Sequence, residues 1–526
     1  MSKIFQKNVL KLIVTAILVF SIGMTSSPWN AQAEDHLGDT NTSSEEPNLV
    51  FPVISDTQLG RAEGDPERFE DAMKQLNQLA PEQDAIAFLG DLTSHGVIEE
   101  YETWSSIFNE YVQPEAEQLI GIGNHEYNYN GLTPEKSQER FFDYTGMESL
   151  YYHKNIKGYD FIMMGEERGY FYSKDQVQWL GDQLEQAEKR DSNKPIFVFL
   201  HHGIKDTTYG TEDWYIENDN QKLLRETLKK YPQVILIAGH THYPISDPRS
   251  IHQEDYTAVN SGSIAYMWTE KGYIQGEVPE AEVSNGLLVK VYDDEVVIKR
   301  RNFTGERWVE EPWVIDTPVE DTADFKYTDD RDQVSPYFYE DSNIDITETT
   351  TNSLSISFPQ AFDNLLTHSY QVTAKNQETG EIVNQYKAFS EYYKGEVPSS
   401  LEFPVNNLDP ATTYQIGVQA IDAFGNVSDQ ITTTATTLTE NVAEMQEVIG
   451  QFENHGAFAN HGVAQSLKAQ LNSVNKFVQK DATEKAIKHM NDAKSLLENR
   501  QQNNQISESA YNYLTFNIDH LIKQWK

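Results

Sequence analysis

Cysteine is absent from the 526 residues. That excludes disulfides, thiolate zinc sites and thiol nucleophiles, so any metal must be held by His, Asp, Asn, Gln, Glu or water. Basic residues are scarce, with 41 Lys and Arg against 82 Asp and Glu and a formal net charge of −41. A general nucleic-acid binder held by a basic field is excluded. An anionic substrate approaches against long-range repulsion unless local cations offset it. The most apolar run, residues 12–24, follows Lys3, Lys7 and Lys11 and is short for a membrane span. With Ala31-Gln32-Ala33 as a small-x-small cleavage site, residues 1–33 read as a signal peptide. No second run reaches spanning length and no sortase-type motif stands near the C-terminus. The expected mature chain is secreted, extracellular or cell-wall associated, and has no membrane span.

A polar, Ser/Thr/Glu-rich lead-in at 34–47 precedes a change of pattern. Short runs rich in Ile, Val, Leu and Phe occur at 49–55, 85–90, 118–123, 195–200 and 234–239. Helical periodicity lies between several of them: Phe69, Met73 and Leu76 share a face, as do Tyr101, Trp104 and Phe108, and Val177, Leu180 and Leu184. Ser173 and Gln176 fit a capping box. The alternation predicts an α/β domain over 48–304 with buried, largely parallel strands. Residues 286–303 read as a hairpin turning at Asp293-Asp294 and closing a sheet edge. After a Trp-, Pro- and acid-rich connector at 305–335, residues 336–438 lose the helical period. They alternate apolar and polar residues, as in "SLSISF" and "TYQIGVQAID", which predicts a β-sandwich. The tail, 441–526, lacks proline and shows amphipathic stretches that predict a small helical bundle.

Each apolar run of the first domain is followed by a side chain that can bind metal. Asp56 follows the first, in "PVISDTQLG". Asp91 follows the second, in "GDLTSHG", and Asn124-His125-Glu126 the third, in "GNHEYN". His201-His202 follows the fourth and His240-Thr241-His242 the fifth, in "GHTHY". In an α/β sheet the C-terminal strand ends lie together, where ligands bind. One Asp or His after a strand is usually a turn residue or cap; five in register point to a site for two divalent ions. The glycines before these residues are expected to supply the backbone angles of a sharp turn into a ligand loop.

The order of these motifs, with "VNSGS" at 259–263 and "SKDQVQWLGDQL" at 173–184, resembles the calcineurin-like metallophosphoesterases over about residues 48–302. That resemblance implies two mixed sheets flanked by helices, with a dinuclear centre along one edge. Asp91 would bridge the ions, Asp56 and His242 would hold one, and Asn124, His201 and His240 the other. His201 is preferred over His202 because the ligand of that family immediately follows the strand. Water activated between the two ions would attack phosphorus in line, and His125 would stabilise the transition state or protonate the leaving oxygen. "LDPATTYQIGVQAIDAFGNVS" at 408–428 resembles the late strands of a fibronectin type III module. The tail, through "KAIKHM" at 485–490, resembles the FIMAH module of exported bacterial proteins.

The chain departs from the metallophosphoesterase pattern at two motifs. The protein serine/threonine phosphatases of that family have an aspartate and an arginine where this chain has Ser94 and His95. The carboxylate that would orient His125 and the guanidinium that would grip phosphate are therefore missing, which argues against the phosphoprotein branch. His95 is either a weaker phosphate contact or a surface turn residue, and His202 is a second candidate for substrate binding. Gln58 stands where the family has histidine. If its amide oxygen is a ligand, the site leans toward Mn, Fe or Mg, with Zn also accommodated. Tyr127, Tyr129, Tyr209, Trp214 and Tyr266 are candidates for the mouth of the site.

These readings predict a secreted metal-dependent phosphoesterase acting on a small phosphoester. The C-terminal modules would address a cell-wall or surface polymer. A nucleotide or cyclic-nucleotide phosphodiesterase is the alternative within enzymes. A surface-binding protein with an inactive hydrolase fold is the alternative of another class.

Overall fold

The computed structural model describes residues 46–128, 131–212, 218–276, 283–394 and 396–526. The expected signal peptide, most of the lead-in, Tyr129 and Trp214 lie outside the described residues. In chain order the strands of the first domain are β1 (Leu49–Ile54), β2 (Ala85–Phe88), β3 (Glu117–Ile120), β4 (Tyr151–Ile156), β5 (Tyr159–Met164), β6 (Ile196–His202), β7 (Val234–Gly239), β8 (Ile251–Gln253), β9 (Thr257–Asn260), β10 (Asn285–Val291) and β11 (Glu295–Asn302). They form two sheets, one in the order β11-β10-β1-β2-β3 and the other β4-β5-β6-β7-β9-β8. β1, β2 and β3 run parallel, as do β5, β6, β7 and β9; β10, β4 and β8 pair antiparallel to their neighbours. The expected hairpin is β10–β11. It does not close the edge, because Arg307–Trp308 and Trp313–Asp316, read from sequence as connector, pair onto β11 and extend the sheet.

Every residue of β2, β5, β6 and β7 is buried. Covering both faces of each sheet explains why these strands read as continuous apolar runs. Between the sheets Phe51 meets Phe161 and Phe197 edge to face, with ring centroids 5.1 and 5.0 Å apart. Five helices matter to the rest: α1 (Asp65–Leu79), α2 (Ile98–Tyr111), α3 (His125–Asn128), α4 (Pro134–Thr145) and α5 (Lys174–Arg190). Phe69, Met73 and Leu76 of α1 and Tyr101, Trp104 and Phe108 of α2 pack on the outer face of the first sheet. Val177, Leu180 and Leu184 of α5 pack on that of the second. The Ser173–Gln176 capping box opens α5.

A two-sheet β-sandwich follows. Asp345–Thr349, Leu354–Pro359 and Ser400–Val405 make one sheet, and Ile382–Phe389, Thr367–Asn376, Thr413–Asp422 and Ile431–Thr436 the other. Burial alternates residue by residue along Leu354–Pro359 and Ser400–Val405, as a half-buried strand requires. Four helices, Val442–Asn454, His461–Val478, Thr483–Gln502 and Glu508–Trp525, then close on one apolar core. Asn441, Asn460 and Ser507 cap three of them through their side chains. Tyr513 donates to the carbonyl of Thr437 at 2.7 Å, joining the bundle to the sandwich. Among the described residues no helix is long and apolar enough to cross a membrane.

Candidate metal centre

The motif residues meet where the two sheets face each other. Asp56, Asp91 and Asn124 come from the ends of β1, β2 and β3 in one sheet, while His201, His202, His240 and His242 come from β6 and β7 in the other. The site is thus built by two sheet edges, where the argument from strand ends alone placed it on one. The β1 and β2 loops stay bonded beyond the strands: Asp56 N donates to Gly90 O at 3.1 Å and Gln58 N to Asp91 O at 2.9 Å.

Left-handed backbone is concentrated here, on one of the glycines expected to carry it, Gly90 at φ 110°, but mostly on the motif residues themselves. Asp56, Gln58, Asp91, His240 and His242 have φ between 40° and 68°, each costing of order 1–3 kcal/mol where a functional geometry is held. Gly123 and Gly239 are required for space instead. A Cβ on Gly123 would stand 2.2 Å from Asp91 Oδ1, and one on Gly239 2.7 Å from Asp56 Oδ2.

One half of the site groups Asp56, His242, Asp91 and Gln58. His242 Nδ1 donates to the carbonyl of Tyr266 at 3.0 Å, which turns Nε2 toward Asp56 Oδ1 at 3.0 Å. The amide of Gln58 reaches between the same groups, with Nε2 at 3.4 Å from His242 Nε2 and 3.5 Å from Asp91 Oδ2. A half-turn of that amide would put its oxygen in the same place. The other half groups Asn124, His201 and His240. His201 Nδ1 donates to Leu89 O at 3.1 Å, directing Nε2 at Asn124 Oδ1 (3.0 Å) and Asp91 Oδ2 (3.2 Å). β6 does not stop before its histidines, as the sequence reading assumed. It runs through His202 with a register slip between Leu200 and His202. The slip matters because neighbours on a regular strand face opposite ways. Here both rings approach His240, at 5.1 Å for His201 and 3.7 Å for His202.

The charges fit a cation site. Burial opposes ionisation of Asp56 and Asp91, yet His242 holds Asp56 below its usual range, and His201 and His125 do the same for Asp91. Burial likewise opposes charge on His201, but Asp91 raises it to about 10, so His201 must give up a proton to an entering ion. His202 and His240 are pushed well down by burial and neighbouring histidines, so they stay neutral, the form that ligates metal. Donor atoms of Asp56, Asp91 and His201 lie within 4.8 Å of one another, as do those of His201, His202 and His240. Asp56 Oδ1 and His202 Nε2 are buried without a hydrogen-bond partner. Two carboxylates, an amide and imidazoles so placed can hold divalent metal, and no thiolate competes.

His125, at the start of α3, donates through Nδ1 to the main-chain carbonyl of Ser94 at 2.8 Å, so Nε2 faces the centre, 3.8 Å from Asp91 Oδ2. The orienting carboxylate missed at position 94 is thus replaced by that residue's own backbone. His95 sits at the turn before α2, half exposed, with Nδ1 on Glu100 at 2.8 Å. Three residues carry weight that sequence reasoning did not assign. Glu126, fully buried, accepts from the backbone of Asp91, Thr93 and Gly123 at 2.8–3.1 Å; burial and the nearby Asp91 charge push it up to about 7. Glu166, after β5, holds His202 Nδ1, and Tyr170 from the same loop lies 4.2 Å from the His202 ring. The "GNHE" string marked Glu126; nothing near Glu166 or Tyr170 marked them. Of the aromatic candidates, Tyr266 packs on His242 at 4.3 Å with the Arg61 guanidinium 4.5 Å over its face. Tyr127 donates to Glu166 O at 2.6 Å. Tyr209 is not at the mouth: it is buried under Arg249 and bonded to His368 of the sandwich.

Comparison with known proteins matches residues 49–244 to the calcineurin-like phosphoesterase model and residues 442–523 to the FIMAH domain. Over 174 residues the chain is 29% identical to a probable glycerophosphodiester phosphodiesterase, GpdQ, of Arcobacter nitrofigilis. That match covers 32% of this chain and 59% of the relative, so the chain spans less than two thirds of the relative's length. Among solved structures, a purple acid phosphatase from yellow lupin seeds, PPD1, is 13% identical with a TM-score of 0.39, covering 51% of this chain and 55% of its own. PhoD is 10% identical with a TM-score of 0.35, covering 52% and 70%.

Proposed function

We propose that this chain, whose residues 49–244 are a calcineurin-like phosphoesterase domain, hydrolyses phosphate esters with two divalent ions. Asp56, His242 and Gln58 would hold one ion and Asn124, His201 and His240 the other, with Asp91 between them. The observation that supports this most is the meeting of Asp56, Asp91 and His201 donor atoms within 4.8 Å. When bound, such ions polarise phosphoryl oxygens and make a nucleophile of water near neutral pH. The chain itself orients the reaction. Leu89 O and Tyr266 O fix the tautomers of His201 and His242, as ligating histidines require. Ser94 O aims His125 Nε2 at the centre, where it can give a proton to a leaving oxygen. His202 Nε2, buried without a hydrogen-bond partner, would serve as a third imidazole ligand or a phosphoryl contact.

Within this class a phosphodiester, including a nucleotide or cyclic nucleotide, is the second reading. It is supported by the relative's name and by the Arg61–Tyr266 pair beside His242, a surface on which a base or sugar can stack. The ligand set argues against an inactive fold, since only position 58 departs from it. Turnover by the Mn-reconstituted full chain against phosphomonoesters, phosphodiesters and cyclic nucleotides tests the proposal; no hydrolysis of any by a metal-filled chain would overturn it.

We place the chain outside the cell on the strength of residues 1–33. N-terminal sequencing of material from culture medium should begin at Glu34, and a retained Met1 in a membrane fraction would contradict it. The sandwich and bundle would then position the enzyme on a cell-wall or other surface polymer.

A further inference from the structure

Three aspartates from three chain segments meet where the connector crosses the sandwich. They are Asp332 of the connector, Asp363 of the loop between Leu354–Pro359 and Thr367–Asn376, and Asp422 at the end of Thr413–Asp422. One carboxylate oxygen from each lies within 4.8 Å of the other two. Asp332 and Asp422 are 2% and 3% exposed.

Their hydrogen bonds leave a pattern. Asp332 Oδ1 accepts from Val334 N at 3.0 Å and Asn364 Nδ2 at 3.2 Å. Asp363 Oδ2 accepts from Leu365 N and Leu366 N, both at 2.8 Å. Asp422 is held by Phe424 N, Asn426 N and Asn426 Nδ2 at 2.7–2.9 Å. The remaining oxygens of the first two, Asp332 Oδ2 and Asp363 Oδ1, are buried with no hydrogen-bond partner. The neighbouring guanidinium, Arg331, is turned away, donating to the carbonyls of Pro248 and Ile251 and lying 4.8 Å over the Phe424 ring.

Buried carboxylate oxygens without a partner are costly. A hard cation removes that cost, and a donor set made only of oxygen selects it. We propose that Asp332, Asp363 and Asp422 form a calcium site that fastens the connector to the sandwich. Calcium takes six to eight oxygens in flexible geometry, so water and second carboxylate oxygens can complete the shell, whereas magnesium demands a tight octahedron. Asp363 is half-buried, which leaves a route for the ion. The consequence is mechanical. Arg331, one residue before Asp332, bonds the first domain at Pro248 and Ile251 and covers Phe424 of the sandwich, while Asn426 Nδ2 donates to Asp332 O at 3.3 Å. An ion on Asp332 and Asp422 therefore stiffens the joint between the two domains.

The test uses the full chain with Mn filling the catalytic centre, titrated with calcium alone by calorimetry and followed by thermal melting. One calcium site is expected, with a Kd of about 10⁻⁴–10⁻³ M, together with a rise of a few degrees in the melting of the sandwich. Asp332→Asn and Asp422→Asn should each weaken calcium binding at least about tenfold, by loss of a charged ligand, and abolish the rise. Mn content and hydrolysis should be unchanged. Asp363→Asn, at the less buried position, supplies the same test if the other variants do not fold. Asp91→Asn should keep the calcium response. The proposal is overturned if calcium gives neither heat nor shift, if the response survives Asp332→Asn or Asp363→Asn, or if Asp91→Asn removes it.

Discussion

The carboxylate of Glu126 accepts the backbone N–H of Asp91 at 3.1 Å, so the residue proposed to lie between two ions is held by a glutamate from the next strand's loop. The same carboxylate takes Gly123 N at 2.8 Å and Thr93 N at 3.0 Å. One buried group therefore fixes the loops that present Asp91 and Asn124.

Glu126→Ala should leave those N–H groups unpaired, lower stability by about 3–4 kcal/mol and weaken Mn binding. Glu126→Gln keeps part of the acceptor set and should lose less. Denaturant melts in EDTA and Mn titrations check this; unchanged Mn binding in Glu126→Ala would reject the positioning role.

His125→Ala should slow turnover by roughly 10²–10⁴-fold, the usual worth of proton transfer by a positioned group, with Mn content near that of the parent. Ser94→Ala should change turnover by less than about twofold, because the carbonyl and not the hydroxyl orients His125. Loss of metal in His125→Ala, or a large effect of Ser94→Ala, would contradict these roles.

Gln58→Ala should cost less metal affinity than Asp56→Ala, since a neutral amide contributes less than a carboxylate and water can take its place. Gln58→His should tighten binding and help zinc compete with manganese, because the Gln58 amide already lies 3.4 Å from His242 Nε2. Metal titration of the three variants decides it; equal damage from Gln58→Ala and Asp56→Ala would make the amide indispensable. Asp91→Asn, by comparison, should abolish hydrolysis and weaken both ions.

Away from the centre, burial pushes Asp160 up, but His153 Nε2 at 2.7 Å and Arg190 Nη2 at 2.6 Å outweigh it and hold its carboxyl at about 2. The folded value is below the unfolded one, so this stability is fully present above about pH 4 and is lost as pH falls toward 2. Asp160→Asn should cost about 1–2 kcal/mol at pH 7, discounted for partial exposure of Arg190. The gap between variant and parent should close on acidification. A gap independent of pH in urea melts would mean the loss is packing and not charge.

Local chemistry in the chain determined the five strands with metal-capable ends, the apolar faces of α1, α2 and α5, the Ser173–Gln176 cap and the alternating strands of the sandwich. Each is a matter of side-chain period or of neighbours three or four residues apart, which sequence order records directly. Tertiary structure decided what depends on groups far apart in the chain. Two sheets had to face each other before Asp56 and His242 could meet at 3.0 Å. A register slip in β6 was needed to bring both His201 and His202 to His240. The carbonyl of Ser94 could replace a missing carboxylate only because the loops after β2 and β3 lie side by side. Glu166 and Tyr170 stood in no motif, since their role comes from the loop after β5 folding over His202. Backbone carbonyls and register slips carry no residue-type signature, so sequence could name the candidate ligands but not the contacts that aim them.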